Sequence, residues 1–285
     1  MKVQHFFDED SHTFSYVVAD PATADCAIID SVLGFDMASA ATNTKRADEI
    51  IDYIRKHDLK VQWHLETHIH ADHLSAASYL RSQLGGKIAI SHRIEQVQAV
   101  FKEIYHTDFK TSNAQMGFDH LFADDASFHI GTLSATALAT PGHTPACMSY
   151  VIDKAVFVGD TLFMPDYGTA RCDFPKGSSQ TLYESVQKLY SLPDDTAVYL
   201  CHDYLPPDRH SFCHVTTIGD QKQHNIHLSA DTAKADFVAM RDAKDKTLSM
   251  PKLILPAIQV NLRAGRLPDA EDNGIRYLKI PLNQF

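Results

Sequence analysis

A chain of 285 residues with 44% hydrophobic and 22% charged side chains has the make-up of a soluble globular protein, long enough to bury a sizeable core as one large domain or two small ones. A formal net charge of −10 without a long basic block counts against nucleic acid and anionic membrane as partners. No apolar stretch is long enough to span a bilayer, and Met1-Lys2-Val3-Gln4-His5 lacks the apolar run of a signal peptide. The five cysteines are odd in number and show no Cys-x-x-Cys spacing, so a reduced compartment and a cytoplasmic location are expected.

Two strand-like segments, residues 13–19 and 26–30, open the chain. A helix is predicted from residue 44 or 45 to about 56, with Ala47, Ile50, Ile51 and Ile54 on one face. The apolar run at residues 61–65 reads as a strand ending at Glu66-Thr67. A helix-like segment follows, with Leu74, Ala77, Leu80 and Leu84 at spacings of three or four before Gly85-Gly86. Residues 102–119 read as a long polar excursion, followed by strands around Phe128 and at 133–139. Two buried-type strands, at 156–158 and 197–201, come next. After Tyr204 the chain becomes turn-rich and polar, with a predicted helix over 232–246. Residues 205–285 are expected to cap the site within a single domain spanning 1–285.

The chemistry is concentrated where apolar strands end. His68-Ile69-His70-Ala71-Asp72-His73 packs four potential metal ligands into six residues on the loop after the 61–65 strand. In an extended loop His68 and His70 project to the same side. Asp72 is expected to cap the following helix and His73 to lie in its first turn. His143 sits in the tight turn Thr140-Pro141-Gly142-His143, Asp160 follows Val156-Phe157-Val158-Gly159, and His202 follows the 197–201 strand. So many imidazoles and carboxylates at strand ends call for a cation. The full set of seven could hold two zinc ions, which would generate hydroxide and polarise a carbonyl. A subset of two histidines and one carboxylate would suit one ferrous ion with open positions. No glycine-rich phosphate loop or Gly-x-Ser-x-Gly elbow is present, so nucleotide chemistry and serine hydrolysis find no support.

The His-x-His-x-Asp-His motif at 68–73, followed in order by His143, Asp160 and His202, resembles the metallo-β-lactamase superfamily. The resemblance implies an α/β chain folded as a four-layer αβ/βα sandwich, two sheets face to face with helices outside and the metal at one edge. In the dinuclear arrangement His68, His70 and His143 bind one ion, Asp72, His73 and His202 bind the other, and Asp160 bridges.

Four further stretches resemble the persulfide dioxygenases and the related bacterial β-lactamase-like proteins of sulfide detoxification. They are Thr67 to Leu74, Ala170-Arg171-Cys172-Asp173-Phe174, Cys201-His202-Asp203-Tyr204 and Asn261-Leu262-Arg263-Ala264-Gly265. That branch implies one Fe(II) per chain on His68, His143 and Asp160. His70, also a metal-ligand candidate, would then join Asp72, His73 and His202 in orienting ligands or holding water. Arg171 and Arg263 are the implied substrate residues, with an arginine fork suited to the carboxylates of glutathione. Asp72 and Tyr204 are the implied catalytic residues, Tyr204 by bringing a hydroxyl to the substrate. The family's cysteine usually precedes this arginine, whereas here Cys172 follows Arg171. The implied reaction is oxidation of a thiol persulfide by O2 to sulfite and thiol. A glyoxalase II-like zinc hydrolase of thioesters, with one or two Zn(II) per chain, is the alternative, and a non-enzymatic metal- or sulfur-sensing protein is a third reading. Homodimer formation is left open.

Overall fold

The chain is described by a computed structural model that covers residues 1–107 and 117–284. One sheet runs β1 (Lys2–Asp8), β2 (Thr13–Ala19), β3 (Asp25–Ile29), β6 (Lys60–Leu65), β8 (Lys87–Ser91) and β9 (His120–Phe122). A second runs β10 (Ala126–Ile130), β11 (Leu133–Ala139), β12 (Met148–Ile152), β13 (Ala155–Phe157), β14 (Ala197–Tyr199) and β15 (Val215–Thr217). A small sheet joins β4 (Val32–Asp36) with β5 (Ala41–Asn43) and β7 (Leu74–Ser75). Pairing is parallel from β3 through β6 and β8 to β9, and again between β13 and β14. The metal-motif residues follow β6, and Asp160 and His202 follow β13 and β14, so all lie beyond the carboxyl ends of parallel strands.

Four layers result, as the α/β reading expects. Between the sheets, Phe14, Tyr16, Val18 and Ile29 face Phe128, Ile130, Tyr150 and Phe157. Outside the first sheet lie α1 (Lys45–Lys56), α2 (Ala77–Leu84), α3 (Ile94–Tyr105) and residues of the C-terminal region. The predicted stripe Ala47, Ile50, Ile51 and Ile54 is the buried face of α1, and it packs on Val17 and Ile28. Outside the second sheet, α4 (Ser179–Tyr190) sets Leu182, Val186 and Leu189 against Val156 and Val198. Among the described residues no helix is long and apolar enough to cross a membrane.

Two local expectations change. The helix after the metal motif begins at Ala77, with Ala76 at its N-cap, because β7 comes between. Leu74 and Ser75 pair with Leu33 and Val32, which keeps the backbone extended where a helix was expected. Asp72 is therefore not a helix cap and His73 is not in a first turn. Of the polar excursion at 102–119, the first residues complete α3, and 108–116 lie outside the described residues.

Residues beyond 205 contribute to both halves of the fold. They supply β15, then α5 (Ile218–His224), then α6 (Lys234–Asp245), whose Phe237 joins the cluster around α4, and α7 (Ile254–Asn261). Ile258 and Val260 of α7 enter two different core clusters outside the first sheet. The same region reaches the pocket described below through Arg241, Lys244, Leu248 and Pro251.

Candidate metal centre

The loops at the ends of β6, β11, β13 and β14 bring the seven ligand candidates to one place. His68 Nε2 and His143 Nε2 stand 3.9 and 3.8 Å from the same oxygen of Asp160, Oδ2. The other oxygen, Oδ1, is 3.3 Å from His202 Nε2, which is also 3.3 Å from Asp72 Oδ2. His68, His143 and Asp160 offer ligand atoms that all lie within 4.8 Å of one another, and so, separately, do His70, His73, Cys201 and His202. Asp160 thus has one oxygen toward each side of a two-part centre.

The donor chemistry fits a cation. His68 Nε2, His70 Nδ1, His73 Nε2, His202 Nε2, Asp72 Oδ2 and Asp160 Oδ1 are buried polar atoms with no hydrogen-bond partner in the structure. Leaving such atoms unpaired costs about 1–3 kcal/mol each, so six of them in one place is expensive unless a positive charge collects them. At His68 and His73 lone pairs, not protons, face the site. Burial, reinforced by neighbouring imidazoles, holds His68 well below the usual histidine range and His73 at about 3. Burial, with the Asp72 carboxylate beside it, pushes the Asp160 carboxyl up, while at Asp72 burial is overcome by the facing His202 and His73, which hold it down.

Behind each imidazole its far nitrogen is engaged. His68 Nδ1 bonds at 3.0 Å to the hydroxyl of Thr67, whose own proton goes to Asp30 Oδ2 at 2.9 Å. His70 Nε2 lies 3.1 Å from Asp30 Oδ1 and 3.5 Å from Glu66 Oε2. Burial opposes charge on His70, but Asp30 and Glu66 outweigh it and hold the ring at about 9, while burial beside Asp30 raises Glu66 to about 8. His202 Nδ1 meets the Thr13 hydroxyl at 3.3 Å, next in a chain through Ser11 to Asp8. His143 Nδ1–H donates to the Arg171 carbonyl at 2.7 Å, so its Nε2 carries the lone pair.

A pocket of about 230 Å³ opens over the centre, with Asp72, His143 and Asp160 in its wall. Tyr204 lines it too, its ring stacked on His202 at 5.6 Å. Burial and then the carboxylates of Asp72 and Asp160 push the Tyr204 hydroxyl well up, so it stays a proton donor. Arg171 borders the pocket, yet Nε and Nη2 each bond an Asp173 oxygen at 2.6 Å and Nη1 holds the Ser249 carbonyl at 2.7 Å. Much of its fork therefore serves the wall itself. Arg241 and Lys244 of α6 add two further cations to the lining.

Arg263 does not reach this pocket; it borders another cavity together with Gln259 and Lys279. Its motif touches the site through Asn261 instead. The Asn261 side-chain amide donates to the carbonyls of His70 and His73, each at 2.8 Å, and its oxygen takes the Ser75 N–H at 2.7 Å. The sequence alone assigns no site role to Asp30, Glu66, Asn261 or Cys201, although the last two fall in the family-like stretches. Asp30 and Glu66 carry the strand-end signal that singled out Asp160, a carboxylate where an apolar run stops. Asn261 carries no such signal, because its placement depends on how α7 packs.

The chain is 49% identical to a probable metallo-hydrolase of Burkholderia pseudomallei (strain 1710b), with 99% of each chain covered. It is 49% identical to glyoxylase B2 of Dictyostelium discoideum over 99% of this chain and 97% of that one. Against the mitochondrial persulfide dioxygenase ETHE1 of Homo sapiens identity is 29%, covering 92% of this chain and 88% of the relative. The crystal structure of ETHE1 from Myxococcus xanthus superposes with a TM-score of 0.74 at 28% identity, over 93% of this chain and all of that one. The metallo-beta-lactamase superfamily domain matches residues 9–202, from the turn before β2 through the last histidine of the centre, and the chain belongs to that superfamily.

Proposed function

We propose that the protein is a non-heme iron dioxygenase that converts a thiol persulfide, such as glutathione persulfide, and O2 into sulfite and the thiol. The observation that carries this reading is the grouping of His68, His143 and Asp160, with His143 and Asp160 at the pocket wall. Two imidazoles and one carboxylate with open positions suit Fe(II). Likeness to the persulfide dioxygenase ETHE1 over most of the chain supports it.

The reaction balances as RSSH + O2 + H2O giving RSH, sulfite and two protons. The terminal sulfur loses five electrons, four to O2 and one to the thiol sulfur, which leaves with the electron pair of the broken S–S bond. Ferrous iron on the three ligands supplies the redox chemistry. The chain's own side chains bind and orient. Lys244 and the remaining donors of Arg171 give the pocket a cationic side for a carboxylate-bearing thiol, the charge of Arg241 being met by Asp245. Phe163 and Phe174 give the same pocket an apolar side. The protonated Tyr204 hydroxyl donates to the anionic end of the substrate, and Asp72, held as a carboxylate, is placed to accept a proton.

A zinc hydrolase of thioesters is the second reading. It is favoured by the second ligand group beyond Asp160 Oδ1 and by relatives named metallo-hydrolase and glyoxylase. An oxygen electrode separates the two. Protein loaded with iron and given glutathione persulfide is expected to consume O2 and form sulfite in equal amounts. No uptake with iron bound, together with thioester cleavage by the zinc form, would overturn the dioxygenase reading.

A further inference from the structure

His143 is fixed through a peptide group rather than by a side chain. Its Nδ1–H donates at 2.7 Å to the carbonyl of Arg171. The N–H across the same peptide bond, that of Cys172, donates at 2.7 Å to Oδ2 of Asp245, at the end of α6. Asp245 is 5% exposed, and its other oxygen takes Nε and Nη2 of Arg241 at 2.8 and 2.6 Å. Nη1 of that arginine holds the Thr169 carbonyl at 3.1 Å, so the loop is pinned on both sides of Arg171. A buried carboxylate, a peptide plane and an imidazole form one hydrogen-bonded line that ends at the nitrogen aimed at the metal position.

His73 offers a contrast within the same molecule. Its Nδ1 meets the Leu74 carbonyl at 3.3 Å, and the N–H of that peptide, on Ser75, donates to Asn261 Oδ1 at 2.7 Å. The connection is the same, but it ends on a neutral amide and its imidazole bond is longer.

We propose that Asp245 is a positioning residue for metal binding, acting through the Arg171–Cys172 peptide to orient His143 and enrich its Nε2 as a donor. A carboxylate that accepts a peptide N–H draws electron density toward the carbonyl oxygen of the same group. The more negative carbonyl strengthens the bond from Nδ1–H, and the imidazole becomes a better ligand, as it does when a carboxylate contacts it directly. The anion favours the half of the centre built from His68, His143 and Asp160. This holds whether the enzyme oxidises or hydrolyses, since it concerns metal binding alone.

The test is D245N, which keeps the side-chain size and an oxygen for the Cys172 N–H. It is expected to weaken Zn(II) affinity about tenfold, the low end for groups that act behind ligands, measured by competition with a chromophoric chelator. In the metal-free protein the His143 Nδ1 proton should move upfield in nitrogen-edited NMR, a change that loosened packing elsewhere would not produce. D242N removes a charge from the same helix without touching the 171–172 peptide, its carboxylate accepting from the Ser179 hydroxyl, and should leave metal affinity unchanged. A D245N protein that binds zinc as tightly as its parent, or whose His143 proton stays in place, overturns the proposal. If D245N does not fold, the wild type carries the test: zinc loading must shift the Cys172 amide resonance, and an unmoved amide overturns it equally. Neither readout depends on turnover, so failure here is distinct from failure of the dioxygenase reading.

Discussion

The two halves of the metal centre share Asp160 but differ in what they face. His143 and Asp160 border the pocket, so an ion held with His68 on that side keeps positions for substrate. His70 and His202 are fully buried and His73 nearly so, and their neighbours are Cys201, Asp30 and Glu66. The second half reaches the opening through Asp72, while its three histidines lie behind, held by neighbouring side chains. Asymmetry of this kind is expected of a one-ion centre whose remaining histidines serve as supports.

Substitutions that separate the halves test the contrast most strongly. H143A should lose metal by more than about a hundredfold, beyond the range for groups that only orient ligands, while H73A retains one ion within that range; chelator competition measures both. Equal losses would erase the distinction. Next in size, D30N removes the carboxylate shared by His70 and the Thr67–His68 chain, and about a 10- to 100-fold loss of affinity is expected.

N261A addresses stability rather than affinity. It leaves two buried carbonyls and one N–H of the metal loop without their partner, a cost of about 3 kcal/mol in urea unfolding of the metal-free protein. A change near zero would show that the loop holds its shape without α7.

A further effect is with pH. In the folded metal-free protein His70 sits at about 9 against 6.5 unfolded, and Glu66 at about 8 against 4.5. The folded state therefore keeps protons that the unfolded chain has released, and stability falls as pH rises. Above the unfolded histidine value of 6.5, the opposite contributions of His68 and His73 are complete. Urea midpoints of chelator-treated protein should therefore decline between pH 6.5 and 9, and D30N should flatten the decline. A rising midpoint over that window would contradict the charge assignment.

Much of this was legible in the sequence because ligands at strand ends leave a local signature. An apolar run that stops at His or Asp marks both the strand and the site, which is how His68, His143, Asp160 and His202 stand out before any folding. The expected helix cap at Asp72 failed because β7 pairs with β4, a tertiary contact that periodicity does not encode. The Asn261–Gly265 motif pointed to the correct region but the wrong side chain. Asn261 is the last residue of α7 and turns to the metal loop, whereas Arg263 lies in the turn beyond the helix and borders another cavity. Asp245 and Arg241 read as ordinary helix charges until α6 is seen against the 168–173 loop.

The central claim is one ferrous ion on His68, His143 and Asp160, and metal analysis of protein isolated without added metal, paired with sulfite formation from glutathione persulfide, tests it most directly. The account predicts about one iron per chain, with sulfite rising in proportion to iron content. About two zinc ions per chain, with thioester cleavage and no sulfite even after iron loading, would contradict it.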